Sequence, residues 1–150
     1  MENGNGKYDS LKLRNQLSFP LYLCSKEISR LYAGVLSGLD LTYTQYIVMM
    51  FFWEMGSSNV RELGETLRLD PSTLTPVLKK LEGKGYIDRE RSSQDERVLT
   101  VTLTEKGREL REQALGVPVK MRSIYGLTDS EWEALAALSV KLLENIEKEK

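Results

Sequence analysis

Residues Asp70–Gly107 read "DPSTLTPVLKKLEGKGYIDRERSSQDERVLTVTLTEKG". This stretch decides the fold, because it contains the start and end of a helix, two strand patterns and a second helix start. Asp70 is a good N-cap and Pro71 occupies the first helical position, where a missing N–H costs nothing. Leu74, Val77, Leu78 and Leu81 recur at helical spacing, and Gly83 and Gly85 end the helix. "YIDRER" is a short strand with "RVLTVTLT" as its return partner. In the second strand Val98, Thr100 and Thr102 alternate with Leu99, Val101 and Leu103, the period of a half-buried strand. The polar "SSQDE" between them makes the pair a β-hairpin with a charged tip. Thr104 then caps another helix, with Glu105 to Arg111 in its first turns.

Immediately upstream, "NVRELGETLRLD" carries Asn59 as a cap and Val60, Leu63 and Leu67 as one apolar stripe. Gly64 inside so short a helix costs about 1 kcal/mol against alanine unless something packs close to it. Two short helices joined by a tight turn predict a helix-turn-helix, with Ser72, Thr73 and Thr75 at the start of the second helix.

Residues 1–9 are polar and carry no apolar pattern. From Leu11 to about Leu36, apolar positions recur at helical spacing through Leu13, Leu17, Leu21, Cys24, Ile28, Leu31 and Val35. Pro20 inside this run predicts a kink or a late start. After a break at "SGLDLT", Thr42 or Thr44 caps "QYIVMMFFWEM", which is apolar nearly all round and so is expected to be buried; "GSSN" ends it. Past the hairpin, Leu110, Ala114 and Val117 form an apolar line, and Pro118 and "YGLTDSE" complicate the end of that helix. The last helix carries Trp132, Leu135, Leu138, Leu142 and Ile146 on one face. The predicted order is helix, helix, helix-turn-helix, hairpin, helix, helix. The fold class is mostly α with a small β-hairpin wing.

Composition narrows the chemistry. The chain has 150 residues, enough for one domain with a core. No apolar run approaches the roughly 18 to 20 residues of a membrane span, and "MENGNGKYDS" lacks the pattern of a secretory signal. A single cysteine, Cys24, cannot form an internal disulfide, so the chain is expected either in a reducing compartment such as the cytoplasm or to fold independently of its redox state. There is no histidine, so a Ser-His-Asp or Cys-His site is impossible and neither a metal site nor a cofactor is expected. With no paired carboxylates and no Gly-rich phosphate loop, the chain is not expected to be an enzyme. Net charge is −1, so bulk charge does not advertise a nucleic-acid partner. Residues 60–111 hold 11 Lys and Arg against 10 Asp and Glu, a net +1, whereas residues 126–150 hold 3 against 6, a net −3. A nucleic-acid reading therefore rests on local geometry.

That geometry is a helix-turn-helix followed directly by a hairpin, which is a winged helix. A recognition helix enters the major groove, and the hairpin beside it reaches toward the flanking minor groove. A guanidinium suits a narrow, electronegative minor groove, and Asp95, two residues before Arg97, can hold the arginine in one orientation. A charged hairpin tip is by itself often a solvated turn, and a Ser/Thr-rich helix start is often only a cap. The conjunction of these features in this order is what points to duplex DNA. A winged helix that docks on protein is the competing class, but such a wing has no need of an arginine at its tip.

Asp70–Gly107 resembles the MarR family of winged-helix transcription regulators, through the D-x-R of the wing (Asp95, Arg97) and the "LTEKG" after it. The stretches "NQLSFPLYLCSKEI" and "LDLTYTQYIVMMFFWE" resemble its OhrR branch, which senses organic hydroperoxides. The resemblance covers nearly the whole chain. It implies a homodimer on a palindromic operator, acting as a repressor of peroxide- or stress-response genes. Residues 1–40 and 104–150 would be dimerisation helices, and residues 41–103 the winged helix-turn-helix. It also implies the DNA contacts: Ser72, Thr73, Thr75 and Pro76 at the groove-facing start of the recognition helix, Lys79 and Lys80 as its cations, Arg89 and Arg91 at the wing base, and Asp95 and Arg97 at the tip.

The sensor departs from the branch pattern. The reactive cysteine that should follow "QL" and precede an aromatic is Ser18 here, in "NQLSFPLY". The two tyrosines that hydrogen-bond the thiolate in that branch are retained as Tyr32 and Tyr43. A serine hydroxyl is not ionised near neutral pH and is not oxidised along the sulfenate series. Three accounts stand open: a serine variant of a cysteine protein, a regulator that binds a small apolar or aromatic ligand instead of sensing peroxide, or sensing by Cys24. For Cys24 the plainer expectation is a small buried hydrophobe.

Overall fold

In the computed structural model, residues 6–91 and 98–149 are described, and the chain divides into two compact units, Met1–Ala114 and Leu115–Lys150. The first unit holds α1 (Ser18–Val35), α2 (Tyr43–Met55), β1 (Ser57–Asn59), α3 (Val60–Leu67), α4 (Pro71–Gly83), β2 (Ile87–Arg91), β3 (Leu99–Leu103) and α5 (Glu105–Ala114). The second holds α6 (Gly116–Tyr125) and α7 (Asp129–Lys148).

Local capping chemistry places most of these boundaries. Thr42 caps α2 in a reciprocal box with Gln45. The Asn59 side chain accepts from the Glu62 amide at 2.8 Å, and Asp70 from the Thr73 amide at 2.9 Å. The Gly107 amide donates to the Thr104 hydroxyl at 3.0 Å. Each satisfies an amide that the first helical turn leaves without a partner.

The core lies among α2, α3, α4 and the sheet. Val48, Met49 and Phe52 of α2 are sealed from solvent, as are Leu63, Leu74, Leu78, Leu81, Ile87 and Val101. Burying each such side chain contributes about 1.5–3 kcal/mol, and this holds α4 against α2 and β2. Gly64 is where α3 meets the turn: a Cβ there would sit 3.0 Å from the Leu69 carbonyl and 3.2 Å from Leu74 Cδ1. The close packing that a mid-helix glycine requires is present.

The structure departs from the expected order in three places. The first helix does not run from Leu11: two short 3-10 turns, Asp9–Leu11 and Leu13–Asn15, precede a start at Ser18. Pro20 falls in the first turn of α1, where it displaces no helical hydrogen bond. "GSSN" ends α2 but also forms β1, which pairs antiparallel with β3 through Ser57↔Thr102 and Asn59↔Thr100, so the sheet runs β1-β3-β2. Three polar residues carry no strand pattern, and only the bare edge of β3 recruits them. Finally, three helices follow the wing rather than two. α5 stops at Ala114, and Pro118 lies in the first turn of α6, where proline is tolerated.

Gly107 provides a test of the packing at the foot of the wing. A Cβ there would lie 2.2 Å from the Tyr86 carbonyl oxygen and 2.7 Å from Leu103 Cδ1. Gly107→Ala is therefore expected to destabilise the protein by about 3 kcal/mol, at the upper end of overpacking effects. Urea denaturation reads this directly, and an unchanged midpoint would refute the crowding.

Candidate nucleic-acid interface

On α4 the apolar positions Leu74, Leu78 and Leu81 face the core, which leaves one continuous outer face. Ser72, Thr75, Pro76, Lys79 and Lys80 are all exposed on it, with Thr73 half-buried at its edge. The spacing of 72, 75/76 and 79 is that of one helical side. Two hydroxyls are already engaged: Ser72 donates to the Asp70 carboxylate, and Thr75 to the Pro71 carbonyl at 2.8 Å. Hydrogen bonding from Ser72 and the Thr73 amide holds the Asp70 carboxyl below its ordinary range, so the cap stays ionised and firm at neutral pH. This face presents hydroxyls, a proline ring and two ammonium groups, a mixture suited to base edges and phosphates.

The wing stands beside it. β2 and β3 pair from Ile87↔Leu103 to Arg91↔Leu99, so Arg89 and Arg91 lie on the strand that leaves α4. The tip residues Asp95 and Arg97 lie outside the described residues. Arg89 does not point freely outward. Its guanidinium donates twice to Glu82 Oε2 of α4, from Nε at 3.0 Å and from Nη2 at 2.5 Å. Arg89 thereby braces the wing to the end of the recognition helix. The bond to Arg89, with the guanidinium charge behind it, holds the Glu82 carboxyl below its ordinary value. A lowered value means the brace is intact at neutral pH and is lost as pH falls below the usual glutamate range.

Glu82 was not among the residues expected from the sequence. It lies seven residues from Arg89, across the end of a helix and a glycine turn, where no periodicity relates the two. Glu82→Gln separates two roles by sign. Removing a negative charge near DNA would by itself strengthen binding. Loss of the brace weakens it, by about two- to fivefold if the pair has the worth of an exposed ion pair. The expected result is weaker binding in a DNA titration at fixed salt; tighter binding would leave Glu82 as no more than a repelling charge.

The sensor residues are not brought together within one chain. Tyr32 and Tyr43 are, stacked with ring centroids 4.3 Å apart and 21° between planes. Ser18 is exposed at the start of α1, fourteen residues before Tyr32 on the same helix and so about 21 Å away along its axis. Burial raises the Tyr43 phenol above its ordinary value, which keeps it a neutral hydrogen-bond donor. Cys24 is exposed, not buried as expected. The reason is that α1 buries none of its residues in a single chain, and its apolar side chains include Tyr22 at 62% and Leu23 at 41% exposed. The same holds for α7, where Leu138 is 65% exposed. Apolar faces of this extent mark association surfaces. Among the described residues, no helix is long and apolar enough to cross a membrane, and no three His, Cys, Asp or Glu cluster to hold a metal.

A helix-turn-helix with a hairpin anchored to its second helix defines a winged helix-turn-helix protein. Comparison with known proteins agrees. The family of transcriptional regulators described as SarA/Rot matches residues 30–114. The organic hydroperoxide resistance transcriptional regulator of Bacillus subtilis is 42% identical over 142 residues, covering 95% of this chain and 92% of that protein. The HTH-type transcriptional regulator SarZ of Staphylococcus aureus is 42% identical over 119 residues, covering 79% of this chain and 80% of its own. Among solved structures, reduced AbfR bound to DNA superposes with a TM-score of 0.82 at 30% identity, covering 95% of this chain and 97% of that one; AbfR is a protein of Staphylococcus epidermidis. The chain belongs to the MarR family of winged-helix transcription regulators. Its relatives are regulators, not enzymes.

Proposed function

We propose that this protein binds a palindromic operator in double-stranded DNA as a homodimer and represses peroxide- or stress-response genes in the cytoplasm. The observation that carries the reading is the single exposed face of α4, Ser72, Thr75, Pro76, Lys79 and Lys80, beside a wing braced to the same helix. Solution of reduced AbfR as a DNA complex supports it. Residues 41–103 form the DNA-binding region in this reading. Residues 1–40 and 104–150 supply the dimer, whose two-fold axis matches a two-fold site. The uncovered apolar faces of α1 and α7 support that division.

In the dimer, Ser18 of one chain meets Tyr32 and Tyr43 of the other. The support is the length of α1, which keeps Ser18 and Tyr32 of one chain apart. Ser18 makes this regulator indifferent to organic hydroperoxide. Lys79 and Lys80 contact phosphates, while Ser72, Thr73, Thr75 and Pro76 face base edges. Arg91 and Arg97 approach the backbone and minor groove, with Asp95 orienting Arg97.

Fluorescence anisotropy against palindromic promoter fragments tests the reading. Six to ten phosphate contacts release enough counterions that affinity falls by about 10³-fold or more between roughly 50 and 200 mM salt. Lys79→Ala and Lys80→Ala should each flatten that salt slope by about one. A folded dimer that binds no fragment in a salt-dependent way would sink the proposal.

A further inference from the structure

A run of aromatic rings leaves α1 and ends on the backbone at the foot of the wing. Tyr32 stacks on Tyr43 and also lies 5.8 Å from Tyr46, tilted by 34°. Tyr46, only 2% exposed, meets Trp53 edge-on at 6.0 Å. Trp53 Nε1 donates to the carbonyl of Gly107 at 2.8 Å. Tyr43, Tyr46 and Trp53 are spaced by three and seven residues, so one side of α2 carries all three.

Gly107 packs so closely on Tyr86 that a methyl group would not fit between them. Around it, two chain crossings are tied to each other. The Thr104 amide donates to the Tyr86 carbonyl at 3.1 Å, and the Thr104 hydroxyl to the Gly85 carbonyl at 2.7 Å. The Lys106 ammonium donates to the Lys84 carbonyl at 2.7 Å and lies 5.2 Å from the centre of the Tyr86 ring. Residues 84–86 lead from the recognition helix into β2; Thr104 leads from β3 into α5, whose first turn holds Lys106 and Gly107. Both ends of the wing thus meet at one hydrogen-bonded, closely packed junction, and Trp53 reaches it through its indole N–H. Close-packed elements of this kind move between discrete arrangements and do not deform smoothly.

We propose that Trp53 is a positioning residue that transmits the packing of Tyr32 on Tyr43 to the junction from which the wing and the recognition helix diverge. The proposal rests on the DNA-binding reading above for its consequence, but its physical content lies in the free protein. A change at the half-buried Tyr32–Tyr43 pair tilts Tyr46, displaces the indole and shifts the Gly107 carbonyl, and with it both strands of the wing.

The experiment uses the full-length protein, with the Trp53 indole resonance assigned through Trp132→Phe and amide hydrogen exchange followed at Gly85, Tyr86 and Gly107. Tyr32→Leu removes the ring but leaves an apolar side chain. It should shift the Trp53 indole resonance and speed exchange at Tyr86 and Gly107 by about tenfold, within the range for a coupled network. Tyr32→Phe, which retains the ring, should restore the wild-type pattern. In a Trp53→Phe background, Tyr32→Leu should add nothing at Gly107. A merely structural role for Tyr32 would confine the change to α1 and α2. Unmoved indole and junction signals in Tyr32→Leu, or additive effects in the double variant, overturn the proposal. If Trp53→Phe does not fold, Tyr32→Leu decides alone, since it keeps Trp53 in place. DNA affinity measured on the same samples separates the two readings: absence of DNA binding defeats the proposed function, whereas the exchange data judge the relay regardless.

Discussion

Ser18→Cys is expected to convert a protein that stays on its DNA in the presence of cumene hydroperoxide into one that leaves it. A thiolate attacks the outer peroxide oxygen, so that an S–O bond forms as the O–O bond breaks; the sulfur is left as a sulfenic acid, and the alkoxide departs and takes up a proton as the alcohol. A serine hydroxyl at the same position offers no comparable nucleophile. Burial raises the Tyr43 phenol still further above neutral pH, so in the proposed dimer it can donate to a thiolate at residue 18 of the second chain. Loss of affinity on oxidation should be about 5- to 150-fold, the usual range of an allosteric coupling, and Tyr32→Phe in the cysteine background should dull it. Cys24 needs its own control because it is exposed. If peroxide releases the unaltered protein and Cys24→Ala abolishes that release, Cys24 is the sensor. Failure of Ser18→Cys to respond would favour a regulator that senses a small apolar ligand instead.

Arg97→Ala should weaken specific DNA binding by about 1–3 kcal/mol, the worth of one charged contact in a groove, with little change in melting temperature. The two readouts together are decisive. A side chain at a hairpin tip contributes to recognition without contributing to the core, so affinity and stability should part company. Asp95→Ala should cost less, since it acts only by releasing Arg97 from one orientation. Binding unchanged in Arg97→Ala would reduce the wing tip to a solvated turn. Arg89 is expected to behave differently, because its bonds to Glu82 make it part of the wing's attachment: Arg89→Ala should lower both affinity and the order of the hairpin.

What could be read in advance was chemistry confined to a few consecutive residues. The caps at Thr42, Asn59, Asp70 and Thr104 act over three residues, and the alternation from Val98 to Leu103 is a property of a single strand. Together they were enough for the helix-turn-helix, the hairpin and, with the missing histidine, the exclusion of most catalysis. The outer face of α4 followed from the same periodicity. The helix break near Leu115 was not legible, because Pro118 suits the start of a new helix as well as the end of an old one.

Tertiary structure decided everything that joins distant segments. β1 exists because β3 has an edge to pair with. Arg89 is a brace because the turn after α4 folds β2 back toward Glu82. Cys24 is exposed because α1, although Tyr32 packs on α2, buries none of its own residues. The indole of Trp53 meets the Gly107 carbonyl across 54 residues of sequence. Spacing along a chain encodes which side of an element a residue occupies, but contact between elements depends on loop paths and packing that no local period records. The residues proposed to read DNA could thus be named from local pattern and resemblance, while the Glu82–Arg89 brace and the Trp53–Gly107 bond emerged only from the fold.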